Sequence, residues 1–308
     1  MTLAMVFPGQ GSQSTGMQSE LAEQFPIVRN TYAEADDILG YDLWARVQQG
    51  PTDKLAETTT TQPAMLAAGV AAYRVWQEAG GAIPAQLAGH SLGEYSALVC
   101  GGAASFKDAM TVVKKRAELM QDAVPVGVGA MAAILGLDDD AVISLCSEAS
   151  TIGVAEPVNF NSPGQVVIAG HSTAVKQAVE IAKEHGARRA IVLPVSVPSH
   201  SSLMRGAGEA LREVLAATDF KAPEVPVICA STGTAYVNNE DIRARLAAQV
   251  YSPVLWVRTI EAITGNGATR IIECGPGKVL GGLIRRIDKN LSVDMIENLA
   301  SLEKALQA

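Results

Sequence analysis

The chain has 308 residues, of which 48% are hydrophobic and 18% are charged, and its formal net charge is −8. This length can bury a sizeable core, and the composition is that of an ordinary globular protein. The acidic balance argues against a general nucleic-acid binder, because such proteins need a basic surface to displace counterions from phosphates. The apolar run at residues 3–7 is too short for a signal peptide or a membrane span, and no basic segment precedes it.

The four cysteines are widely separated and include no C-x-x-C pair, so the sequence predicts neither a disulfide framework nor a zinc knuckle. Only four histidines are present, and a multi-histidine metal site is not expected. We therefore expect a protein in a reduced, cytoplasmic setting. A monomer is expected, because no coiled-coil pattern or long apolar surface stripe is visible.

Apolar runs typical of strands alternate with segments of helical length, which predicts an α/β fold with a mainly parallel sheet. The strands predicted for the larger part of this fold are 3–7, 85–89, 225–230 and 269–274. The helices predicted there are 63–79, 92–100, 107–121, 239–250 and 278–289.

Residues 126–195 show an order of predicted strands and helices that differs from that of the rest of the chain. The elements predicted there are strand 130–135, helix 138–149, strand 154–160, strand 166–169, helix 173–185 and strand 189–195. This β-α-β-β-α-β order is ferredoxin-like. The sequence thus predicts a small domain at 126–195, inserted into a large domain formed by 1–125 and 196–308. Ligand sites often lie in clefts between domains.

Ser91 is the central residue of GHSLG, a G-x-S-x-G pattern between a predicted strand and a predicted helix. This is the context of the nucleophile turn in α/β-hydrolase-like enzymes. The flanking glycines allow a tight turn, and the next amide, that of Leu92, points to a helix N-terminus, where an oxyanion is stabilised. The alternative is a serine that only caps the helix.

A serine nucleophile needs a base, which is most often histidine. His90 adjoins the serine, while His171 and His185 lie at the two ends of a predicted helix, where a helix-terminal charge is the ordinary interpretation. Elimination leaves His200, in VPSHSS after the last strand of the insert, although an exposed loop histidine is the alternative. No Asp or Glu stands out as an orienting acid. More than a hundred residues follow His200, which is not the order of a standard lipase or esterase.

Arg116 falls on the broad apolar face of predicted helix 107–121 when residues are placed at 100° intervals. A buried guanidinium must meet an anion, because an unpaired buried charge is costly. Two partners remain open. One is an internal acid such as Glu94, and the other is a substrate carboxylate held by two parallel hydrogen bonds.

FPGQGSQ, residues 7–13, follows the first predicted strand but lacks the lysine and the spacing of a nucleotide-binding loop. Its glycines allow close approach of the backbone to another group. Gln10 could offer its amide to an oxyanion there, and a plain turn between strand and helix is an equal alternative.

Together the motifs resemble the malonyl-CoA:acyl carrier protein transacylases of bacterial type II fatty acid synthesis. The likeness runs in order over the whole chain. The segments that carry it, besides Arg116 in its helix, are FPGQGSQ (7–13), TQPA (61–64), GHSLGEYSAL (89–98), GAMAAI (129–134), PVNFNSPGQVVIAG (157–170), PVSVPSH (194–200) and ECGPGKVL (273–280).

The resemblance implies a hydrolase-like large domain interrupted by a ferredoxin-like small one. It implies that Ser91 is the acyl-accepting nucleophile, that His200 is its base and that Arg116 binds the free carboxylate of malonyl. In this family a main-chain carbonyl replaces the acid of a hydrolase triad, and that carbonyl maps to Gln249.

The resemblance also implies an oxyanion hole formed by the main-chain amides of Gln10 and Leu92. Three further positions, Gln62, Asn161 and Gln165, match family positions that contact substrate or pantetheine.

The implied reaction is a ping-pong transfer of malonyl from malonyl-CoA to the phosphopantetheine thiol of acyl carrier protein, which supplies fatty acid biosynthesis. This reaction needs no metal and no bound cofactor. Carrier proteins are acidic, so this acidic chain needs a local basic surface to bind one transiently. Two candidate patches are Lys183, Arg188 and Arg189 on the small domain, and Lys278, Arg285, Arg286 and Lys289 near the C-terminus.

Three other functions remain open on sequence grounds. The same serine could serve a thioesterase that transfers the acyl group to water, although a buried Arg116 favours a dicarboxylic acyl group. The enzyme could transfer methylmalonyl or acetyl instead of malonyl. The chain could also be a binding module that has lost catalysis, although Ser91, His200 and Arg116 are all present.

Overall fold

The computed structural model describes residues 2–195 and 197–307, and these form two β-sheets with flanking helices. The strands are β1 (Leu3–Phe7), β2 (Gln86–Gly89), β3 (Gly129–Leu135), β4 (Ala155–Ser162), β5 (Gln165–His171), β6 (Arg189–Val192), β7 (Val227–Cys229), β8 (Thr234–Ala235), β9 (Val254–Leu255), β10 (Arg270–Cys274) and β11 (Ser292–Ile296).

The helices cover both faces of the first sheet and one face of the second. They are α1 (Ser19–Gln24), α2 (Pro26–Leu39), α3 (Leu43–Gln49), α4 (Thr52–Ala56), α5 (Thr58–Glu78), α6 (Gly93–Cys100), α7 (Phe106–Asp122), α8 (Asp139–Ala149), α9 (Ser172–Glu184), α10 (Arg205–Ala216), α11 (Asn239–Gln249), α12 (Trp256–Gly265), α13 (Val279–Ile287) and α14 (Leu299–Gln307). No helix within the described residues combines the length and the apolar character that crossing a bilayer requires.

The first sheet has six strands in the order β11-β10-β1-β2-β7-β8. Every neighbouring pair is parallel except β7 and β8. All five residues of β1 are buried, as expected for a central parallel strand covered by helices on both faces. The predicted α/β fold with a mainly parallel sheet is confirmed.

The second sheet has five strands in the order β6-β3-β5-β4-β9. The pairs among its first four strands are antiparallel, and helices α8 and α9 pack on one face around a separate apolar core. The fifth strand, β9, comes from outside 126–195 and pairs with β4 in parallel. The expected domain limits at residues 1, 196 and 308 lie outside the described residues.

Two predicted element boundaries differ from the structure by three residues or more. The helix expected at 63–79 begins at Thr58, so Pro63 lies inside the helix rather than at its first position. Most of the polar residues that precede Pro63 in this helix are buried, which a sequence pattern does not reveal. The strand expected at 189–195 ends at Val192, shortly before Pro194, which has no N–H to donate to a ladder.

Candidate active site

The GHSLG segment forms a tight turn between the end of β2 at Gly89 and the start of α6 at Gly93. Ser91 has a φ of 53°, in the left-handed region that non-glycine residues seldom adopt. A Cβ at Gly89 would lie 1.9 Å from the carbonyl carbon of Gly93, and one at Gly93 would lie 2.0 Å from the carbonyl oxygen of Phe7. Close backbone contact therefore requires both glycines, and the serine sits in a strained conformation of the kind that clusters at active sites.

His200 lies beside Ser91, with its Nε2 2.7 Å from the Oγ of the serine. Its φ of 68° is also left-handed, and its main-chain N–H donates to the carbonyl of Val250 at 3.0 Å. The side chain is buried. The structure thus brings together the two residues that the sequence proposed as nucleophile and base.

The Nδ1 of His200 lies 2.8 Å from the carbonyl oxygen of Gln249 and 3.1 Å from that of Ser252. Carbonyl oxygens only accept hydrogen bonds, so Nδ1 carries the imidazole proton. The lone pair of Nε2 then faces Ser91, whose hydroxyl donates to it. This geometry orients the imidazole without a carboxylate.

Burial lowers the pKa of His200 to about 3, and the positive charge of Arg116 acts in the same direction. The hydrogen bond to the carbonyl of Gln249 partly opposes this shift of the pKa. The imidazole is therefore neutral at neutral pH and able to accept a proton.

Arg116 lies on the buried face of α7, as its helical position predicted, and is 2% exposed. Its Nη1 donates to Oε1 of Gln62 at 2.5 Å. Its Nη2 donates to Oε1 of Gln249 at 3.0 Å and to Oγ of Ser91 at 3.3 Å. Its Nε is buried and donates to no protein group among the described residues. All of these acceptors are uncharged, so the cation retains the capacity to bind an anion beside the serine.

Glu94, the internal acid considered as a partner of Arg116, is completely buried in α6. Its carboxylate accepts hydrogen bonds from the amide of Ala230, the hydroxyl of Tyr236 and the side-chain amide of Gln249. Burial raises the pKa of Glu94, and these donors oppose the rise. A direct ion pair with Arg116 is not found in the part of the chain that the structure describes, because the side chain of Gln249 bridges the two charges.

Gln10 and Leu92 lie in the loops that follow β1 and β2, two neighbouring parallel strands. The carboxyl ends of these strands therefore meet at one edge of the sheet. Within residues 2–195 and 197–307, neither main-chain N–H donates to another protein group. Both donors are free to bind an oxyanion.

The three positions matched by resemblance have different surroundings. Gln62 is buried and contacts Arg116. Asn161 lies near the end of β4 and its Oδ1 is 2.8 Å from Nε2 of His90. Gln165 is removed from this network, since its Oε1 accepts from Nη1 of Arg286 at 2.5 Å.

His90 packs against the ring of Trp256, with the ring centroids 5.3 Å apart. Burial lowers the pKa of His90, and the hydrogen bond to Asn161 partly offsets the effect on the pKa. Because β2 and α6 flank His90 while β4 carries Asn161, this contact joins the two sheets beside the serine. His171, by contrast, is the N-cap residue of α9, where its Nδ1 accepts from the amide of Val154.

Sequence reasoning missed two contributions to this site. The side chain of Gln249 donates to the carbonyl of Ser91 at 2.9 Å, besides its contacts with Arg116 and Glu94. Thr58 contacts both Gln10 and Gln62. No motif marks either role, because all of these contacts except that between Thr58 and Gln62 join segments far apart in the chain.

The two candidate basic patches are exposed, but several of their members are already paired. Lys183 forms an ion pair with Glu180, and Arg285 donates to the carbonyl of Val293. Among the described residues, no group of three or more His, Cys, Asp or Glu side chains is arranged to hold a metal ion.

The acyl transferase domain model matches residues 4–292 of the chain. Malonyl CoA-acyl carrier protein transacylase of Escherichia coli is 51% identical over 304 residues, which covers 99% of this chain and 98% of the relative. The protein of the same name from Bacillus subtilis is 44% identical over 306 residues, which covers 99% of this chain and 96% of the relative.

Solved structures give a similar result. The crystal structure of an acyl-carrier-protein S-malonyltransferase from Burkholderia pseudomallei has a TM-score of 0.98 at 53% identity, and the match covers 100% of both chains. A malonyl-transacylase solved in complex with its type II polyketide synthase acyl carrier protein also has a TM-score of 0.98, at 51% identity, covering 100% of this chain and 99% of that one.

Proposed function

Because the chain belongs to the malonyl CoA-acyl carrier protein transacylase family, we propose that Ser91 carries a malonyl group from coenzyme A to the phosphopantetheine thiol of acyl carrier protein. The chain is an acyltransferase, and its product, malonyl carrier protein, supplies fatty acid biosynthesis. Both substrates are thioesters or thiols of phosphopantetheine, one on coenzyme A and one on the carrier protein.

In the first half-reaction the hydroxyl of Ser91 gives its proton to Nε2 of His200 while Oγ attacks the thioester carbonyl. The Gln10 and Leu92 amides donate to the oxyanion that forms. When the intermediate collapses, the carbon–sulfur bond breaks and the departing thiolate takes the proton from Nε2. The malonyl group is then esterified to Ser91 and the imidazole is neutral again.

In the second half-reaction the thiol of the carrier protein gives its proton to Nε2 of His200 and attacks the malonyl ester. The ester bond to Oγ breaks, and Ser91 recovers its proton from the imidazole. Because the Gln249 and Ser252 carbonyls hold the proton on Nδ1, the same nitrogen serves both half-reactions.

Arg116 supplies the preference for a dicarboxylic acyl group. Its guanidinium lies 3.3 Å from the nucleophile, and its present acceptors are neutral oxygens. The free carboxylate of malonyl can replace or join them, and the pair is then a charge-assisted hydrogen bond in a buried setting.

The same resemblance leads us to propose a hydrolase-like large domain with a ferredoxin-like insert. The order β6-β3-β5-β4, with α8 and α9 connecting the strands, supports the second part. The turn from β2 through Ser91 to α6 supports the first. We place the reaction in the cytoplasm, in keeping with four free cysteines.

The contact between Ser91 and His200 beside the Arg116 cation carries this proposal. Intact-mass measurement after mixing the enzyme with malonyl-CoA tests it. We expect a malonyl adduct on the wild type, and none on Ser91→Ala. A wild type without an adduct would defeat the covalent mechanism.

The acceptor is tested separately by incubating the enzyme with malonyl-CoA in the absence of carrier protein. We expect the adduct to persist and malonate to be released slowly. Rapid, steady release of malonate would instead identify a thioesterase.

A further inference from the structure

The hydrogen bonds of Arg116 continue through two side chains to the loop after β1. Gln62 accepts from Arg116 through Oε1, and its Nε2 donates to Oγ1 of Thr58 at 2.9 Å. The hydroxyl of Thr58 donates in turn to Oε1 of Gln10 at 3.1 Å. Thr58 therefore connects the carboxylate-binding guanidinium with the loop that carries a proposed oxyanion donor.

Arg116 fixes the direction of every hydrogen bond in this chain of groups. A guanidinium has donors and no acceptor, so Gln62 must turn its oxygen towards Arg116 and its nitrogen towards Thr58. Oγ1 of Thr58 then accepts from Gln62, and its own proton is left for Gln10. Only a group that both donates and accepts fits this position.

The position of Gln10 depends on its hydrogen bond to Thr58 more than the position of a buried residue would. It is exposed and lies between two glycines, of which Gly11 has a φ of 105°. Within the described residues, the bond to Thr58 is the one hydrogen bond that the Gln10 side chain makes. Thr58 itself is 5% exposed and is the first residue of the long, buried α5, so it is a fixed anchor.

We propose that Thr58 is a positioning residue that holds the main-chain amide of Gln10 in place for the oxyanion and couples it to Arg116. This proposal rests on the proposed function. Because the oxyanion exists only in the transition state and the intermediate, the Thr58 hydroxyl is expected to act on the rate of acylation and not on the binding of malonyl-CoA.

The test compares Thr58→Val, which keeps the shape and removes the hydroxyl, with Thr58→Ser, which keeps the hydroxyl. Single-turnover acylation over a range of malonyl-CoA concentrations gives the maximal rate and the half-saturating concentration. We expect Thr58→Val to lower the maximal rate about fivefold or more, the effect of one lost hydrogen bond, with little change in half-saturation. Thr58→Ser should stay close to the wild type.

The same loss is expected with acetyl-CoA, because both acyl groups form an oxyanion. A normal maximal rate in Thr58→Val, or a loss seen only as weaker half-saturation by malonyl-CoA, would overturn the proposal. Thermal melting of each variant shows whether it is folded. Failure of the proposed function would look different, since the wild type would then form no adduct on Ser91.

Coupling is tested by repeating the Thr58→Val measurement with acetyl-CoA in an Arg116→Met background. Without the guanidinium the Gln62 amide is free to turn, so we expect the penalty of Thr58→Val to shrink. An equal penalty in both backgrounds would overturn the coupling. If Arg116→Met does not fold, Gln62→Met removes the adjacent link and gives the same comparison.

Discussion

The main-chain carbonyl oxygen of Gln249 lies 2.8 Å from Nδ1 of His200 and holds the imidazole in one tautomer. The side chain of the same residue accepts from Arg116 at 3.0 Å. One residue thus serves the base through its backbone and the carboxylate-binding cation through its side chain. The two roles can be separated, because a substitution keeps the carbonyl and removes the side chain, together with its contacts to Ser91 and Glu94.

Gln249→Leu keeps the carbonyl that orients His200 and removes the amide that contacts Arg116. We expect acylation by malonyl-CoA to fall about tenfold or more, since a hydrogen bond to a charged group is lost. Acylation by acetyl-CoA should fall much less. Single-turnover rates with both thioesters measure this, and equal losses would mean that the side chain acts through Ser91, Glu94 or the fold and not through Arg116.

Arg116→Met removes the charge while keeping an apolar side chain in the helix. We expect malonyl transfer to fall about 100-fold and acetyl transfer to change little, because only malonyl presents a carboxylate. Arg116→Lys is the matched control, which retains the charge but not the planar guanidinium. Its rate of malonyl transfer should lie between the rates of the wild type and of Arg116→Met. If both thioesters lost the same activity in Arg116→Met, the residue would be structural.

The pKa of His200, lowered from 6.5 to about 3, predicts the pH at which the acylation rate falls on the acid side of its pH profile. This fall is the acid limb of the profile. Protonated His200 cannot accept the proton of Ser91, so the acylation rate should stay level as the pH falls from 8 to 5 and drop only at lower pH. Because Arg116 contributes to the lowered pKa, the acid limb of Arg116→Met with acetyl-CoA should move to higher pH. A wild-type rate that halves near pH 6.5 would contradict this.

The same shift has a consequence for stability. Unfolding returns the pKa of His200 to about 6.5, so the unfolded chain binds a proton that the folded chain does not. His200 is therefore expected to reduce the free energy of unfolding as the pH falls below this value. Comparison of wild type with His200→Gln by urea unfolding at pH 7.5 and pH 5 isolates the contribution.

Gly93→Ala would place a Cβ 2.0 Å from the carbonyl oxygen of Phe7. We expect it to lower the free energy of unfolding by about 3 kcal/mol or more, because the backbone of β1 cannot yield cheaply. The control is Gly282→Ala in α13, where a Cβ meets no atom within 4 Å. That change should stabilise the protein by up to about 1 kcal/mol through helix propensity. Urea unfolding measures both, and similar values would contradict the close contact.

We expect the basic patch near the C-terminus to bind the carrier protein, since the side chains of Lys278 and Lys289 form no ion pair or hydrogen bond within the described residues, whereas Arg285 and Arg286 of this patch and Lys183 of the other are already paired. Lys278 and Lys289 are exposed. We expect Lys278→Glu with Lys289→Glu to raise the KM for carrier protein severalfold at low salt, with acylation by malonyl-CoA unchanged. Lys183→Glu is the control, and a larger effect there would locate the surface on the other patch.

The parts of the site that sequence predicts best depend on short-range patterns. GHSLG between a strand and a helix specifies the Ser91 turn, and helical periodicity places Arg116 on a buried face. His200 is 109 residues from Ser91, and only the elimination of the other histidines identifies it from the sequence. The main-chain role of Gln249 came from resemblance alone, because any residue could supply a carbonyl.

The polar interior of the site could not be predicted. Thr58 and Gln62 lie in TTTTQ, a stretch whose composition favours an exposed turn, yet both side chains are buried at the start of α5. Their burial is possible only because Arg116 and Gln10, from distant segments, complete their hydrogen bonds. Helices α1, α3 and α4 could not be predicted either, because they are short and carry too few apolar residues to show a helical periodicity.

The pairing of β9 with β4 ties the inserted sheet to the segment that holds the imidazole. Ser252, two residues before β9, offers its carbonyl to His200, so a rotation of that sheet would pull directly on the base. We therefore expect a preformed cleft of constant width and not a hinge that closes on each substrate. Coenzyme A, the acyl donor, and the carrier protein, the acyl acceptor, are then expected to exchange without a closing motion of the inserted sheet.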